Sequence, residues 1–516
     1  MTAKRSPWQA EPASSDDFTE RLSGDLLTDV CVIGAGMAGL LCALELAERG
    51  HSVILVEREG IAAGDTGVTT AHLTALLDTR YFALASMHGA DVARSVASSH
   101  ARGIAHLERV ANTYGIDCGF RRVSGFLCAA DDSQLELLQR ERAAATAAGI
   151  SCELVTRAPL PVSTGPALHV AEQAEFQPVA FVRGVVRALQ QRGVRIFLPV
   201  TVTAFDCASA TDQVEVRTSA NRSIRASFVV VATNSPINDL AVLHTKQAAY
   251  RTYALSLAIY ETTPALCWDL DEPYHYVRTA IDSGTGSPIL IVGGEDHRVG
   301  QGLDSAQHWS RLESWARDRF PNAGVVLSHW SGQVLEPSDG LAFIGKNPGQ
   351  DRVFVLTGAS GNGMTYSAFG AELIADLVHG VETPFQKIYD PARKPSSLKA
   401  IGRFVRENLN TAEQYTDWVA PADVARVEDI ARGQGAVLRR GLSRVAVYVD
   451  DGGSAHELSA TCPHLGGVVA WNDAEKSWDC PCHGSRFDCY GKVLAGPAVS
   501  DLVPTARLAR PVEKAS

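Results

Sequence analysis

Three hydrophobic patterns follow one another along the chain. Residues 29–57 read DVCVIGAGMAGLLCALELAERGHSVILVE. The apolar run from Asp29 to Ile33 predicts a buried strand, apolar residues recur at helical spacing from Leu40 to Leu46, and Ser52 to Val56 predicts a second strand. FQPVAFVRGVVRALQQRG at 176–193 predicts a helix followed by strand-rich RIFLPVTVTAF. FVVVATNSP at 228–236 predicts a buried strand ending in a small-residue turn. VFVLTGASGNGMTYSAFGAELIAD at 353–376 predicts a strand, a glycine turn and a helix. The second pattern is alternation. YRTYALSLAIY at 250–260, PYHYVR at 273–278 and ILIVGGEDHRVGQG at 289–302 predict strands of an antiparallel sheet. The third begins after Asp390. A polar connector, DPARKPSSLK, leads into an amphipathic helix with Ile401, Phe404, Val405 and Leu409 on one side. From Gly435 onward come short β-like runs between glycine turns, the mark of a small β domain.

Chemistry attaches to two of these patterns. Gly34, Gly36 and Gly39 form GxGxxG at the end of the first strand. The first allows a tight turn, the second admits a pyrophosphate close to backbone amides, and the third lets the helix pack on the sheet. The helix N-terminus then faces the phosphate charge, and Glu57 closes the second strand where it can bind ribose hydroxyls. The turn from Gly358 to Gly363 delivers a second helix N-terminus, suited to a flavin carbonyl that gathers negative charge on reduction.

In the β domain, TCPHLGG at 461–467 and DCPCHGSRFD at 479–488 each supply one cysteine and one histidine. Zinc fingers commonly pair like with like. A [2Fe–2S] cluster with two thiolates on one iron and two imidazoles on the other needs mixed pairs from two loops.

On GAGMAG, Glu57, ATNSP and TGASGNGMT, residues 29–390 resemble the FAD-dependent oxidoreductases of the D-amino-acid oxidase, glycine oxidase and sarcosine oxidase superfamily. CPHLGG, CPCHGSRFD and GKVLAGPA resemble the Rieske domain family. The resemblance implies an α/β FAD-binding Rossmann-type domain interleaved with an α+β antiparallel-sheet substrate domain, then an all-β Rieske domain. The implied boundaries are a flexible leader at 1–28, FAD-binding segments at 29–83, 171–245 and 333–390, substrate-domain segments at 84–170 and 246–332, a linker helix at 391–420, and the Rieske domain at 421–516. FAD would be held by Gly34, Gly36, Gly39, Glu57, Arg58, Thr66, Val202 and the loop Gly361, Asn362, Gly363, Met364 and Thr365. Val68 stands where some relatives carry a flavin-linked histidine, so non-covalent FAD is expected, with His72 the weaker candidate for a link. Cys462 and Cys480 would bind one iron, His464 and His483 the other. The histidine iron is normally the exposed end, which makes those histidines the expected electron port. Gly467 and Phe487 replace a disulfide cysteine and a tyrosine of the respiratory type, while Ser485 remains as a donor to sulfur. Arg278 is the expected clamp for a substrate carboxylate, with Tyr276 and Tyr253 next and His275 as a base.

Composition narrows the alternatives. With 516 residues, several domains are expected. A net charge of −11 argues against nucleic acid as a partner. No apolar run predicts a transmembrane segment, no export signal is visible, and the eleven cysteines lack disulfide spacing, so a cytoplasmic setting is expected. The leading expectation is a dehydrogenase that oxidises an amine or amino-acid C–N bond by hydride transfer to flavin. Its electrons would leave singly through the cluster to an external carrier such as a ferredoxin or a quinone-linked acceptor. The rivals are a flavin reductase or monooxygenase-type enzyme fed through the cluster, and a redox relay or sensor without metabolite turnover.

Overall fold

The computed structural model describes residues 5–9, 19–159, 165–207, 212–237, 243–301, 305–395 and 397–505. Parts of the leader and the last eleven residues of the C-terminal domain, as bounded above, lie outside them.

Strand Leu26–Ile33 is the centre of a parallel sheet whose order is Gln350–Thr357, Ser223–Val231, Leu26–Ile33, Val53–Val56, Arg195–Phe197. Val30, Cys31 and Val32 have no exposed surface, as expected of a strand covered on both faces. The strand starts three residues before the expected Asp29, because Leu26, Leu27 and Thr28 pair with Ile224, Arg225 and Ala226. Helix Met37–Glu48 covers one face and packs on helix Gly363–Val378.

A nine-stranded sheet forms the second layer. Its main order is Val326–Pro337, Gln247–Ala258, Pro288–Arg298, His275–Ile281, Ala265–Asp269, Arg121–Cys128, Ala167–Glu175, His72–Leu73. All neighbours on that path are antiparallel except Ala265–Asp269 with Arg121–Cys128. Thus the sheet joins early and late parts of the chain across the parallel sheet, as interleaved domains require.

The C-terminal module has a three-stranded sheet, Gln434–Arg440, Ser443–Val449 and Ala455–Ser459, and a four-stranded one from Ala470–Asn472 to Val493–Ala495. It is fastened to the nine-stranded sheet by a buried charge network. Glu475 accepts from Arg251 at 2.6 Å and from Arg486 at 3.0 Å, and Arg486 also bonds Asp479 at 2.9 Å.

One expectation needs correction. The leader is not loose throughout: Trp8 is 2% exposed, its indole N–H donates to the Thr69 carbonyl at 2.6 Å, and Ser6 donates to that of Gly67. Linker helix Leu398–Glu413 is amphipathic as expected, and its apolar stripe is turned outward. Leu398, Ile401, Val405 and Leu409 are exposed, while Glu407 and Asn410 bond Arg298, and Asn408 donates to the Thr245 carbonyl.

Candidate functional site

One cavity of about 370 Å³ runs between the two large sheets. Gly34 and Gly36 lie at one end, where the chain leaves its central strand and enters the helix. Gly34 has φ +107°, and a side chain there would run into the Ala232 carbonyl. A Cβ on Gly39 would collide with the Gly34 carbonyl oxygen, so this glycine serves helix–strand approach and does not line the cavity. Glu57 receives the backbone N–H groups of Ala35 and Glu59, both at 2.8 Å, which holds its carboxylate at the rim. Arg58, Thr66 and Val202 also line this end. Thr66 Oγ1 accepts from Met37 N–H, and Arg58 donates to the Leu494 carbonyl.

Gly361, Asn362, Gly363 and Met364 line the opposite stretch, at the start of helix Gly363–Val378. Nothing in the protein lies within 4 Å of a Cβ built on Gly363. Thr365 faces away: its hydroxyl bonds His100 Nδ1 and the Asn362 carbonyl. The donor set therefore fits a dinucleotide. One helix N-terminus and an acidic side chain stand at one end, and a second helix N-terminus stands at the other. Val68 lines the cavity between them, and its carbonyl accepts from the Trp330 indole. His72 also lines it. Burial, then the nearby Arg278 charge, holds its imidazole down at about 3, so the ring is neutral.

The substrate residues named from the sequence divide. Tyr276 lines the cavity, with its hydroxyl 3.0 Å from Thr252 Oγ1. Arg278 does not: it is 4% exposed, pairs with Glu175 at 3.3 Å, and donates to the carbonyls of Ala71 and Phe176. Successive residues of strand His275–Ile281 point to opposite faces, but Tyr276 and Arg278 share one. The difference is position along the strand, since Arg278 lies beneath the loop at 70–71. Tyr253 has no exposed surface and stacks on His297 and His308 on the other face. His275 also points away, bonding Asp269 at 3.1 Å and stacking on Trp315.

Sequence reading missed several residues. Asp78 and Tyr274 line the cavity beside Gly361, where a Cβ would meet the Asp78 carboxylate. The signal for Asp78 was an acid closing the apolar run LTALLD at 73–78. Leu494 to Gly496, Ala498 and Val499, from the C-terminal module, form part of the same wall. No local pattern announces a contact made across more than four hundred residues.

The mixed Cys/His loops share one backbone design. Cys462 N–H donates to the Gly467 carbonyl and Gly466 N–H returns to Cys462; Cys480 N–H donates to Ser485 and Gly484 N–H returns to Cys480. Gly466 and Gly484 both have positive φ, 77° and 82°. The two thiols come within hydrogen-bonding reach of each other, and the His464 and His483 rings stand 5.0 Å apart at 90°. Sulfur on one side and imidazole on the other fit a cluster with two unlike irons. Ser485 Oγ accepts from Ala498 N–H and bonds the Cys462 sulfur. A Cβ at Gly467 would lie 2.5 Å from Cys482 Sγ, so the place for the respiratory cross-link is kept without its second cysteine.

The histidines are not an exposed port. Both are half-buried, and buried His244 packs edge-on against them at 4.8 and 5.9 Å. Gly484, next to His483, packs on Ala249, and its carbonyl accepts from Gln333, a cavity residue. The imidazole end thus faces the cavity-bearing part of the molecule.

Comparison with known proteins agrees with this architecture. The family model described as FAD dependent oxidoreductase matches residues 29–377, and that of the Rieske [2Fe-2S] domain matches 420–507. The Rieske 2Fe-2S iron-sulfur protein YhfW of Bacillus subtilis is 30% identical over 93% of this chain and 94% of its own. Gamma-glutamylputrescine oxidoreductase of Escherichia coli is 25% identical over 74% of this chain and 90% of its own. Glycine oxidase from Geobacillus kaustophilus superposes with a TM-score of 0.58 at 18% identity, over 72% of this chain and all of that one, a likeness of fold.

Proposed function

Since the chain belongs to the FAD dependent oxidoreductase family and carries a Rieske [2Fe–2S] domain after it, we propose that it is a dehydrogenase for the C–N bond of an amine or amino acid, passing electrons singly through the cluster to an outside carrier. One observation supports this above the others: the Rieske module forms part of the wall of the FAD cavity. A module that only shared the chain would have no reason to close that wall.

In this reading Gly34, Gly36, Glu57, Arg58, Thr66 and Val202 hold the nucleotide half of FAD. Gly361, Asn362, Gly363 and Met364 border its ring, without a covalent link. The chemistry FAD supplies when bound is acceptance of a hydride from the carbon beside nitrogen. The chain's own side chains orient the substrate. Tyr274, Tyr276, Thr252 and, against Gly361, Asp78 bound the roof. Cys462 and Cys480 bind one iron, His464 and His483 the other. The carrier, of the ferredoxin or quinone-linked kind, meets the module's outer side, where Pro463 and Leu465 are exposed.

The test is anaerobic mixing of holoenzyme with a panel of amines and amino acids. The expected result is bleaching of the flavin band, then a reduced-cluster electron paramagnetic resonance signal. A flavin that bleaches while the cluster stays oxidised would remove the relay, and one that bleaches only on addition of a reduced carrier would reverse the direction of flow.

A further inference from the structure

The roof of the cavity has an unusual charge balance for a site that would hold an amino acid. Recognition of a substrate carboxylate calls for a guanidinium or ammonium group close to the reacting carbon. Among the described residues lining the cavity, Arg58 is the only arginine, and no lysine lines it. Arg58 belongs to the nucleotide end, paired with Glu59 at 3.1 Å and bonded to the Leu494 carbonyl. His72 is neutral, and Arg278 is sealed behind the wall against Glu175.

Carboxylates gather at the roof instead. Asp78 lines it beside the Gly361 loop. Asp296 bonds Thr252 and Tyr274, both cavity residues, while its Oδ1 is buried with no hydrogen-bond partner. Glu336 is exposed two residues beyond cavity-lining Val334 on strand Val326–Pro337, hence on the same face, and stands close enough to feel both acids. Burial first, and then Asp78, pushes Asp296 up to about 7. The opposing charges nearby are Arg80 for Asp78, His275 for Asp296, and Arg403 for Glu336, with Glu407 adding a further negative group. These cations leave Asp78 and Asp296 raised, so negative charge here is under-compensated. Tyr274, Tyr276 and Trp268 add ring faces that favour a cation.

We propose that the cavity takes a substrate with a second cationic group beyond the nitrogen that is oxidised, a diamine or polyamine, and that Asp78, Asp296 and Glu336 receive that group. This rests on the amine-oxidising reading above and narrows it away from α-amino acids. The acids act as a binding site for a distant ammonium, and the loss of two electrons and a proton from the C–H bond beside the reacting nitrogen is unchanged.

The experiment compares 1,4-diaminobutane, 1-aminobutane, glycine and proline as anaerobic reductants of the holoenzyme at pH 8. Binding of the non-oxidisable dication 1,4-bis(trimethylammonio)butane is measured in parallel by calorimetry. The diamine is expected to exceed the monoamine in kcat/KM by about tenfold or more, the scale of one charge-assisted contact. Asp78→Asn and, separately, Glu336→Gln should each shrink that ratio and weaken dication binding by a similar factor. Equal rates for diamine and monoamine, or preference for glycine or proline, would overturn the proposal. Dication binding that depends on Asp78 and Glu336, with no bleaching by any compound, would uphold the cation site and refute the oxidase chemistry. Absence of dication binding to a flavin that amines do bleach would refute the cation site alone.

Discussion

At the nucleotide end of the cavity the wall is largely backbone, and at the roof it is largely side chains. Gly34, Gly36 and the helix they open present amides, and the Gly39 contact leaves no room for a Cβ. The roof presents Asp78, Tyr274, Tyr276 and Trp268 from separate strands and loops. Backbone geometry tolerates almost no substitution, whereas side chains on a rigid sheet can be exchanged one at a time. The first end thus fixes which cofactor binds, and the second is free to set which substrate does.

The largest effect should come from breaking the backbone end. Gly39→Val places branched carbon against the Gly34 carbonyl and forces the helix off its strand. Purified variant is expected to contain almost no flavin, read as the ratio of flavin to protein absorbance. A variant that retained full flavin would show that close helix packing is dispensable there.

A substitution behind the roof comes next. Arg278→Ala would leave buried Glu175 with Arg121 alone and several carbonyls without their donor, a loss on the order of 2–3 kcal/mol, below that of a buried charge left with no partner. The expected readout is a large fall in melting temperature, with the order of preference among substrates retained in whatever protein folds. An altered preference with unchanged stability would return Arg278 to the role of substrate clamp.

These contrasts explain what the chain revealed before its structure was known. GAGMAG, the GNGM turn and the two paired Cys/His loops were legible because each motif works through neighbours in sequence: a turn, a helix start, a loop closed on itself. Arg278 and Tyr253 were misread because strand residues look alike from sequence, whatever lies over them. The facing of the linker helix was not legible either. Periodicity located the apolar face of Leu398–Glu413 but not its direction, which is set by Arg298 and Gln301 drawing the polar face inward. Asp78 and the 494–499 loop escaped because their roles exist only once distant segments meet.

The seam between the two modules offers a third perturbation. Burial would raise the Glu475 carboxyl, but Arg251 and Arg486 overcome it and hold the group down at about 2. Its stabilisation is therefore complete above the unfolded value near 4.5 and is lost as pH falls toward about 2. A shift of that size corresponds to something on the order of 3 kcal/mol. Glu475→Gln should remove most of this acid sensitivity, seen as a flatter dependence of chemical denaturation on pH between 5 and 3. Equal slopes in wild type and variant would mean that the seam does not depend on this charge.

The smallest effect concerns the cluster's potential. Ser485 bonds the Cys462 sulfur, but Phe487, buried in the same core, has no hydroxyl to offer a second donor. Hydrogen bonds to sulfur favour the more negative, reduced cluster, so a chain with one fewer should sit in the lower half of the Rieske range, roughly −150 to +300 mV. Phe487→Tyr restores the donor. A hydrogen bond of about 1 kcal/mol is worth about 40 mV in a one-electron couple, and the midpoint should move upward by that order. Redox titration followed by electron paramagnetic resonance reads both values. A wild-type midpoint near the top of the range would show that burial and the packed His244 outweigh hydrogen bonding, and a downward move in Phe487→Tyr would show that the added hydroxyl does not donate to sulfur.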